Sequence, residues 1–339
     1  MQMRDAIGAI MRRQDLSYED THAVMQAIMT GEATEAQIGG FLIGLAMKGE
    51  TADEITAAAQ VMRELMQPVS IDCDNVVDIV GTGGDGANLF NVSTASSFVV
   101  AAAGGHVAKH GNRGVSSSAG SADLFDVAGI YLDLDAATIA RCIEQVGVGF
   151  MFAPRHHQAM RHAIGPRREM GVRTVFNILG PLTNPAGAPN QLLGVYAPHL
   201  VPLVAESLRK LGSRHVLVVH AEDGLDEISV AAPTRVAELR DGEIHDYTIT
   251  PESLGIERQS LEPLKVVTAE DSLKLVKEAL VGKGVAGDIV ALNAGAALFA
   301  AGIADSLKEG VLMAQDAQAS KLPLEKLKEL SDFTRIFAE

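Results

Sequence analysis

The sequence predicts an α/β protein: a small N-terminal all-helical domain, residues 1–70, and a larger α/β domain, residues 71–339, whose central, mostly parallel sheet is flanked by helices. Three observations predict it. Residues 1–67 carry helical apolar periodicity and no strand. From Asn75 onward, short apolar runs of strand type alternate with helical stretches, the pattern of a parallel sheet with crossover helices. The chain has 339 residues, long for one domain, and only 4% aromatics beside abundant Ala and Gly, which suits helices packed closely on a sheet.

Within the first region, Val24, Met25, Ile28 and Met29 recur at helical spacing until Gly31. Thr34-Glu35-Ala36-Gln37 and Thr51-Ala52-Asp53-Glu54 have capping-box form and open two further helices, ending near Gly49 and Pro68. Such a bundle must pack on something, and a helical segment near 165–185 is expected to join it. Val76–Val80 reads as the first strand, followed by a Gly-rich loop and a helix from about Ser93 to Ala103. His106–Lys109, Gly147–Phe152, Leu192–Ala197 and Val216–His220 read as further strands, with helices near 135–146, 156–170 and 199–211. Arg235–Leu239 and Glu243–Thr248 flank Arg240-Asp241-Gly242 as a β-hairpin, and the last 70 residues return to helix.

Composition narrows the function classes. With 47% apolar and 21% charged residues the chain is an ordinary globular one, able to bury a large core. The net charge of −15 opposes general binding to nucleic acid or an anionic membrane. A small phosphorylated substrate needs only local backbone N–H groups, a few cations and a metal. The two cysteines, Cys73 and Cys142, have no metal or redox spacing and read as reduced thiols of a cytoplasmic protein. No signal peptide is read at the N-terminus. The apolar stretch Ile289–Ala304 is Gly/Ala-rich and broken by Asn293 and Asp305, so it reads as a buried helix and not a membrane span.

Four segments carry chemistry. Gly81-Thr82-Gly83-Gly84-Asp85 follows the first strand; its glycines let the backbone approach an anion, and the next helix adds its N-terminal partial charge. Ser93 and Thr94 stand where that helix begins and can cap it or bind phosphate or metal. It is neither a Walker A loop nor the usual dinucleotide pattern. Lys109-His110-Gly111-Asn112-Arg113-Gly114-Val115-Ser116-Ser117 is a dense set of anion ligands at a strand end, where open α/β sheets bind ligands. Asp226-Glu227, on a loop after another strand, suits Mg²⁺ held by one or two carboxylates plus phosphate oxygens. Between Ala153 and Pro185, Arg167 is a candidate carboxylate clamp and His157 a lining residue, while the Gly-Pro and Asn-Pro dipeptides read as turns. No nucleophile system and no zinc cluster are seen.

These segments, in this order, resemble the anthranilate phosphoribosyltransferases over essentially the whole chain, through Gly81–Asp85, Asn91-Val92-Ser93-Thr94, Lys109–Ser117, Arg173–Pro185 and Gly224-Leu225-Asp226-Glu227-Ile228-Ser229. The resemblance implies transfer of a phosphoribosyl group from phosphoribosyl pyrophosphate (PRPP) to the amine of anthranilate, in tryptophan biosynthesis, by a homodimer joined through helical domains. It places PRPP on Gly81–Asp85, Asn91–Thr94 and Lys109–Ser117, and Mg²⁺, two ions per subunit, on Ser93, Asp226 and Glu227, across the ligand from the glycine loop. Asn112 and Arg167 would meet anthranilate; Lys109, His110 and His157 would position the substrates. Leu89, Ser118, Ala119, Gln158 and Ala221 depart from the family pattern, the first three where phosphate contacts are usual. A pyrimidine nucleoside phosphorylase shares the fold but needs no Mg²⁺, and Asp226-Glu227 and Arg167 speak against it. The acidic charge and the intact acidic pair oppose a nucleic-acid-binding homologue.

Overall fold

Of the N-terminal helices α1 (Met3–Met11), α2 (Tyr18–Met29), α3 (Glu35–Lys48) and α4 (Ala52–Leu65), the last three start at the side-chain caps Ser17, Thr34 and Thr51. The Thr34 and Thr51 hydroxyls accept the N–H groups of Gln37 and Glu54, and both of those side chains bond back to the cap amides. Glu54 does more than cap. Its buried carboxylate also accepts the Leu16 N–H at 2.9 Å and pairs with Lys48 Nζ at 3.0 Å, tying three parts of the bundle to one point. The computed structural model describes residues 1–114 and 119–338.

Seven strands form one sheet: β1 (Val76–Gly81), β2 (His106–Gly111), β3 (Val148–Phe152), β4 (Asn190–Gly194), β5 (His215–Ala221), β6 (Thr234–Arg240) and β7 (Glu243–Ile249), in the order β3-β2-β1-β4-β5-β6-β7. The first five run parallel, and β6 and β7 are antiparallel. The hairpin turn places Asp241 and Gly242 at φ 51° and 85°, the two-residue geometry that an Asp-Gly pair favours.

Side-chain alternation divides the core between the two faces of this sheet. Leu192, Leu217, Val219 and Val236 face a core with helix α5 (Val92–Ala102) and the helix Gly284–Ala300. Their neighbours Leu193, Val216, Val218, Ala237 and Leu239 face the opposite way and share a core with α1 to α4 and the helix Leu200–Lys210. The bundle thus buries its apolar side against a sheet face. The helix Arg161–Met170 packs on α2 and α3.

Several boundaries differ from the sequence reading, two of them in segments that lead to the site. Strand β4 begins at Asn190, not Leu192, because the amides of Asn190 and Gln191 are buried and bonded to the carbonyls of Val76 and Pro181, at 2.9 Å each. An apolar-run criterion passes over such residues. The expected helix 156–170 is broken: a short turn Ala153–His156 and a 3₁₀ turn Gln158–Met160 precede the helix proper, with His157 at φ −111°, ψ 56° between them.

On the far side, the helices Gly284–Ala300 and Leu307–Ser320 touch backbone to backbone. A Cβ on Gly295 would lie 2.5 Å from the Val311 nitrogen, and one on Gly310 2.2 Å from the Gly295 oxygen. Gly295→Ala adds about 1 kcal/mol of helix propensity. Overpacking costs about 1–3 kcal/mol where a well-packed neighbour must move, and backbone cannot swing aside as a side chain can. Overpacking should win, so the urea midpoint of Gly295→Ala should fall; an unchanged midpoint would mean the two helices separate freely.

Candidate active site

The strand order reverses at β1: β2 and β3 lie to one side and β4 to the other. Open α/β sheets bind ligands at the carboxyl ends of the strands flanking such a switch point. Here the ends of β1 and β4 are Gly81 and Gly194, direct partners in register. Both are glycine because Asp226 fills the space between them. A Cβ on Gly81 would lie 2.3 Å from Asp226 Oδ2, and one on Gly194 only 1.5 Å from the Asp226 carbonyl oxygen. Beyond Gly81 the chain turns through Gly83, Gly84 and Gly86, at φ 68°, 81° and 77°.

The Gly83 N–H donates to Asp226 Oδ2 at 2.7 Å. Asp226 therefore touches the glycine loop directly, a contact the sequence reading did not include. Asp226 touches the loop because the two glycines leave no side chain between them. Its neighbour Glu227 turns to the start of α5, where its Oε1 accepts the Ser93 N–H at 3.2 Å, at the positive end of the helix. Lys109 reaches the same place from β2, and its Nζ donates to Ser93 Oγ at 3.2 Å and to the Ile79 carbonyl at 2.7 Å. The structure thus brings together the glycine loop, Ser93, Lys109, Asp226 and Glu227, which are up to 146 positions apart in the chain.

Three carboxylates crowd here. Burial pushes Glu227 well above the usual carboxylate range, helped by repulsion from Asp226 and Asp85. Asp226 is raised to about 6 by burial and then by Asp85, and Asp85 itself is raised by burial. Lys109 is lowered to about 8 by burial, with Asp78 and Glu227 pulling the other way. Such a site suits a divalent cation. Among the described residues no group of three or more His, Cys, Asp or Glu side chains could hold a metal alone, but Mg²⁺ takes one or two carboxylates and completes its shell with water and phosphate oxygens. The residues fit that mode.

Asp78 was not singled out in the sequence, because it sits inside an apolar strand. Its buried carboxylate accepts the His110 N–H at 3.2 Å and the Asn184 Nδ2 at 2.7 Å, while Asn184 also donates to the Ala108 carbonyl at 2.8 Å. Asn184 was read only as part of a turn; here it pins β1 to β2 beside Lys109. Burial raises Asp78 to about 6, with Lys109 the leading opposing influence.

His110 and His157 meet with ring centroids 5.0 Å apart. His110 Nδ1 lies 3.1 Å from the Gly180 carbonyl and so carries the proton, leaving the buried Nε2 lone pair without a partner among the described residues; the same holds for His157 Nε2. Burial lowers His110 to about 3, followed by His157, and lowers His157 to about 4, followed by His156. The Arg167 guanidinium lies 5.0 Å over the Phe176 ring, makes no hydrogen bond or ion pair among the described residues, and is lowered by burial. Phe176 opens the helical stretch that leads to Gly180, so one segment carries the contacts of both Arg167 and His110.

Other expected ligands are already engaged. Asn91 bonds to Ser272 and to the Ala119 carbonyl, the Val92 N–H to Phe90, and the Thr94 hydroxyl to Ser121. Arg113 is paired with Asp123 at 3.0 Å and Asp126 at 2.6 Å, so its charge is matched by the helix that follows, Ser121–Val127. Gly114 N–H is held by Asp123, and Asn112 Oδ1 accepts the Arg113 N–H. Val115, Ser116, Ser117 and Ser118 lie outside the described residues. Of the departures, Leu89 packs against the core and bridges to Lys265, Gln158 is exposed, and Ala221 is buried at the acidic loop. Arg173, quoted in the sequence but given no role, stacks 4.4 Å over Tyr196 and donates to the Gly84 carbonyl, tying the loop to the segment that follows Arg167.

Known proteins match this arrangement along its whole length. Residues 73–321 match the glycosyl transferase family a/b domain, and residues 4–66 the helical bundle domain of the same family. An anthranilate phosphoribosyltransferase of Chromohalobacter salexigens is 82% identical over 338 residues, covering 100% of this chain and 98% of its own. The chain belongs to the anthranilate phosphoribosyltransferase family. The family member from Thermus thermophilus superposes with a TM-score of 0.92 at 44% identity, over 98% of this chain and 99% of that one. The Saccharomyces cerevisiae member, solved in complex with PRPP and Mg, superposes with a TM-score of 0.88 at 26% identity over 98% of each chain.

The neutral histidines are open to measurement. Each folded pKa lies below the value near 6.5 of an unfolded chain, so the unfolded state takes up protons that the fold refuses. Both rings should stay neutral, with flat NMR C–H shifts from pH 8 to 5.5, and their contribution to stability should be lost as pH falls from 6.5 toward 4. A midpoint near 6.5 for either ring would contradict the burial argument.

Proposed function

We propose that PRPP and anthranilate are the two substrates, that the pyrophosphate lies at Gly81–Asp85 and Ser93, and that anthranilate lies toward Arg167 and Asn112 with His110 and His157 beside it. The observation that carries this reading is the convergence of Gly83, Ser93, Lys109, Asp226 and Glu227 on one point at the switch of strand order. Its support from relatives is the yeast family member's complex with PRPP and Mg.

In this reading the amine nitrogen of anthranilate attacks the ribose C1 while the bond from C1 to the pyrophosphate oxygen breaks. The products are N-(5-phosphoribosyl)anthranilate and pyrophosphate. Mg²⁺, two ions per subunit in this reading, would be held by Asp226 and Glu227 with Ser93, and supplies positive charge that stabilises the leaving group. The chain's own residues do the rest. Lys109, protonated at neutral pH, adds a fixed charge beside Ser93. The glycine loop and the helix start use the Gly83 and Ser93 N–H groups to hold Asp226 and Glu227 at the same place. Arg167 meets the carboxylate of anthranilate with a planar donor face. The unpartnered Nε2 lone pairs of His110 and His157 accept from the amine without setting a second positive charge against the cationic sugar. An aromatic amine is a neutral nucleophile, so positioning supplies most of the rate, up to about 7–11 kcal/mol for well-oriented reactants.

Residues 1–70 with the segment near 165–185 form, in this reading, the unit through which two copies pair in the cytoplasm. Met11 and Met47, on α1 and α3, are 79% and 74% exposed, and Ile164 and Val172 are also exposed. Exposed apolar side chains on this unit support its being covered by a second copy. Sedimentation of the purified chain tests the pairing.

Arg167→Ala should raise the KM for anthranilate roughly 10- to 100-fold and leave that for PRPP nearly unchanged, because a charge-assisted bidentate contact is worth a few kcal/mol to one substrate only. Equal effects on both KM values would sink the clamp. Asp226→Asn with Glu227→Gln should lower kcat by about 100-fold or more, at any Mg²⁺ concentration. Fluorescence of anthranilate follows both assays, and turnover of thymidine with inorganic phosphate instead of PRPP with anthranilate would overturn the substrate reading.

A further inference from the structure

Asn293 is the residue that breaks the apolar run of the sequence, and it is the only polar residue among the buried positions of the helix Gly284–Ala300. A carboxamide placed there without partners would cost several kcal/mol, so its position calls for compensating hydrogen bonds. They are present. Its Oδ1 accepts the Ile228 N–H at 2.9 Å, and its Nδ2 donates to the Ile228 carbonyl at 2.9 Å and to the Ile289 carbonyl, one turn back, at 2.9 Å. The side chain therefore pairs with both backbone groups of Ile228 as a neighbouring strand would. Ile228 is the residue after Glu227, and its N–H belongs to the peptide bond that Glu227 begins.

We infer that Asn293 is a positioning residue for the Asp226-Glu227 pair. The carboxylates are held at their tips by the Gly83 and Ser93 N–H groups, at 2.7 and 3.2 Å. Those contacts orient the side chains but leave the loop backbone to be fixed from behind. Asn293 fixes it, from a helix whose other buried residues are apolar and which packs under the sheet. A second tie acts on the same loop: the Ser229 hydroxyl donates to Asp223 Oδ2 at 2.6 Å and accepts the Ala231 N–H at 2.9 Å. Without Asn293, the Ile228 N–H and carbonyl would be buried and unpaired, and the loop would move to satisfy them.

This inference rests on the proposed metal role of the pair, so the test separates the two. PRPP binding is measured by calorimetry with and without Mg²⁺, for the wild type, Asp226→Asn with Glu227→Gln, Asn293→Leu, Asn293→Ser and Gly295→Ala. Hydrogen exchange of peptides spanning residues 222–232 is followed in parallel. The wild type should gain affinity from Mg²⁺, and the doubly substituted chain should lose that gain. Asn293→Leu should lose roughly tenfold of it, as outer-shell partners of metal ligands do, with faster exchange across 222–232. Asn293→Ser, which adds no bulk, covers the case in which the leucine variant does not fold and should shift the same way. Gly295→Ala disturbs the same helix on its other side and should leave the Mg²⁺ gain unchanged. Asn293 variants that keep the whole gain, or a loss matched by Gly295→Ala, would overturn the clip alone. A wild type whose Mg²⁺ gain survives Asp226→Asn with Glu227→Gln would overturn the metal role and the clip together.

Discussion

Asp226 occupies a space that exists only because two glycines face each other across β1 and β4. Its backbone lies where a Gly194 side chain would be, and its carboxylate where a Gly81 side chain would be. From that seat it takes the Gly83 N–H and sets Glu227 against the start of α5. The loop, the helix start and the acidic pair are thus one unit. The switch in strand order supplies the opening, and the missing Cβ atoms let an acidic loop enter it.

Charge at this point is arranged in opposing layers. Asp85, Asp226 and Glu227 are each raised by burial and the last two also by repulsion, while Lys109, held between Asp78 and Glu227, stays cationic. Asp78 stands behind Lys109 without directly pairing with it; its own bonds go to His110 and Asn184. A buried charge needs compensation from hydrogen bonds and neighbours of opposite sign. Here the strand ends and the 176–184 segment supply it. Beside it, His110 and His157 are held neutral by burial while Arg167 keeps its charge, which in the proposed reading separates a cationic clamp from two lone-pair acceptors.

Much of the site was legible in the sequence, for reasons that particular residues show. Gly81–Asp85 follows an apolar strand directly, and Asp226-Glu227 is a polar island after another, so local contrast marks both. Asp78 and Asn293 lacked that contrast in the useful sense. Each is the one buried polar residue of its element, and only its partners, from 32 to 106 and 65 positions away, reveal what it does. Arg113 shows the reverse. Its segment advertised anion binding, yet Asp123 and Asp126 on the next helix match its charge. Asn91 and Thr94 are likewise committed to structure.

By itself, the sequence determined the α/β class, the order of strands and helices, the hairpin at Asp241-Gly242 and the resemblance to a family. The first three follow from short-range periodicity, capping and turn chemistry, which are local properties of the chain; the resemblance rests on the motifs Gly81–Asp85, Asn91–Thr94, Lys109–Ser117, Arg173–Pro185 and Gly224–Ser229. Only the tertiary structure decided that Asp226 touches the glycine loop, that Lys109 joins Ser93 beside Glu227, and that Asn293 grips the loop from behind. Strand order and close approach are set by packing between distant segments, and spacing along the chain carries no record of which buried donor meets which acceptor.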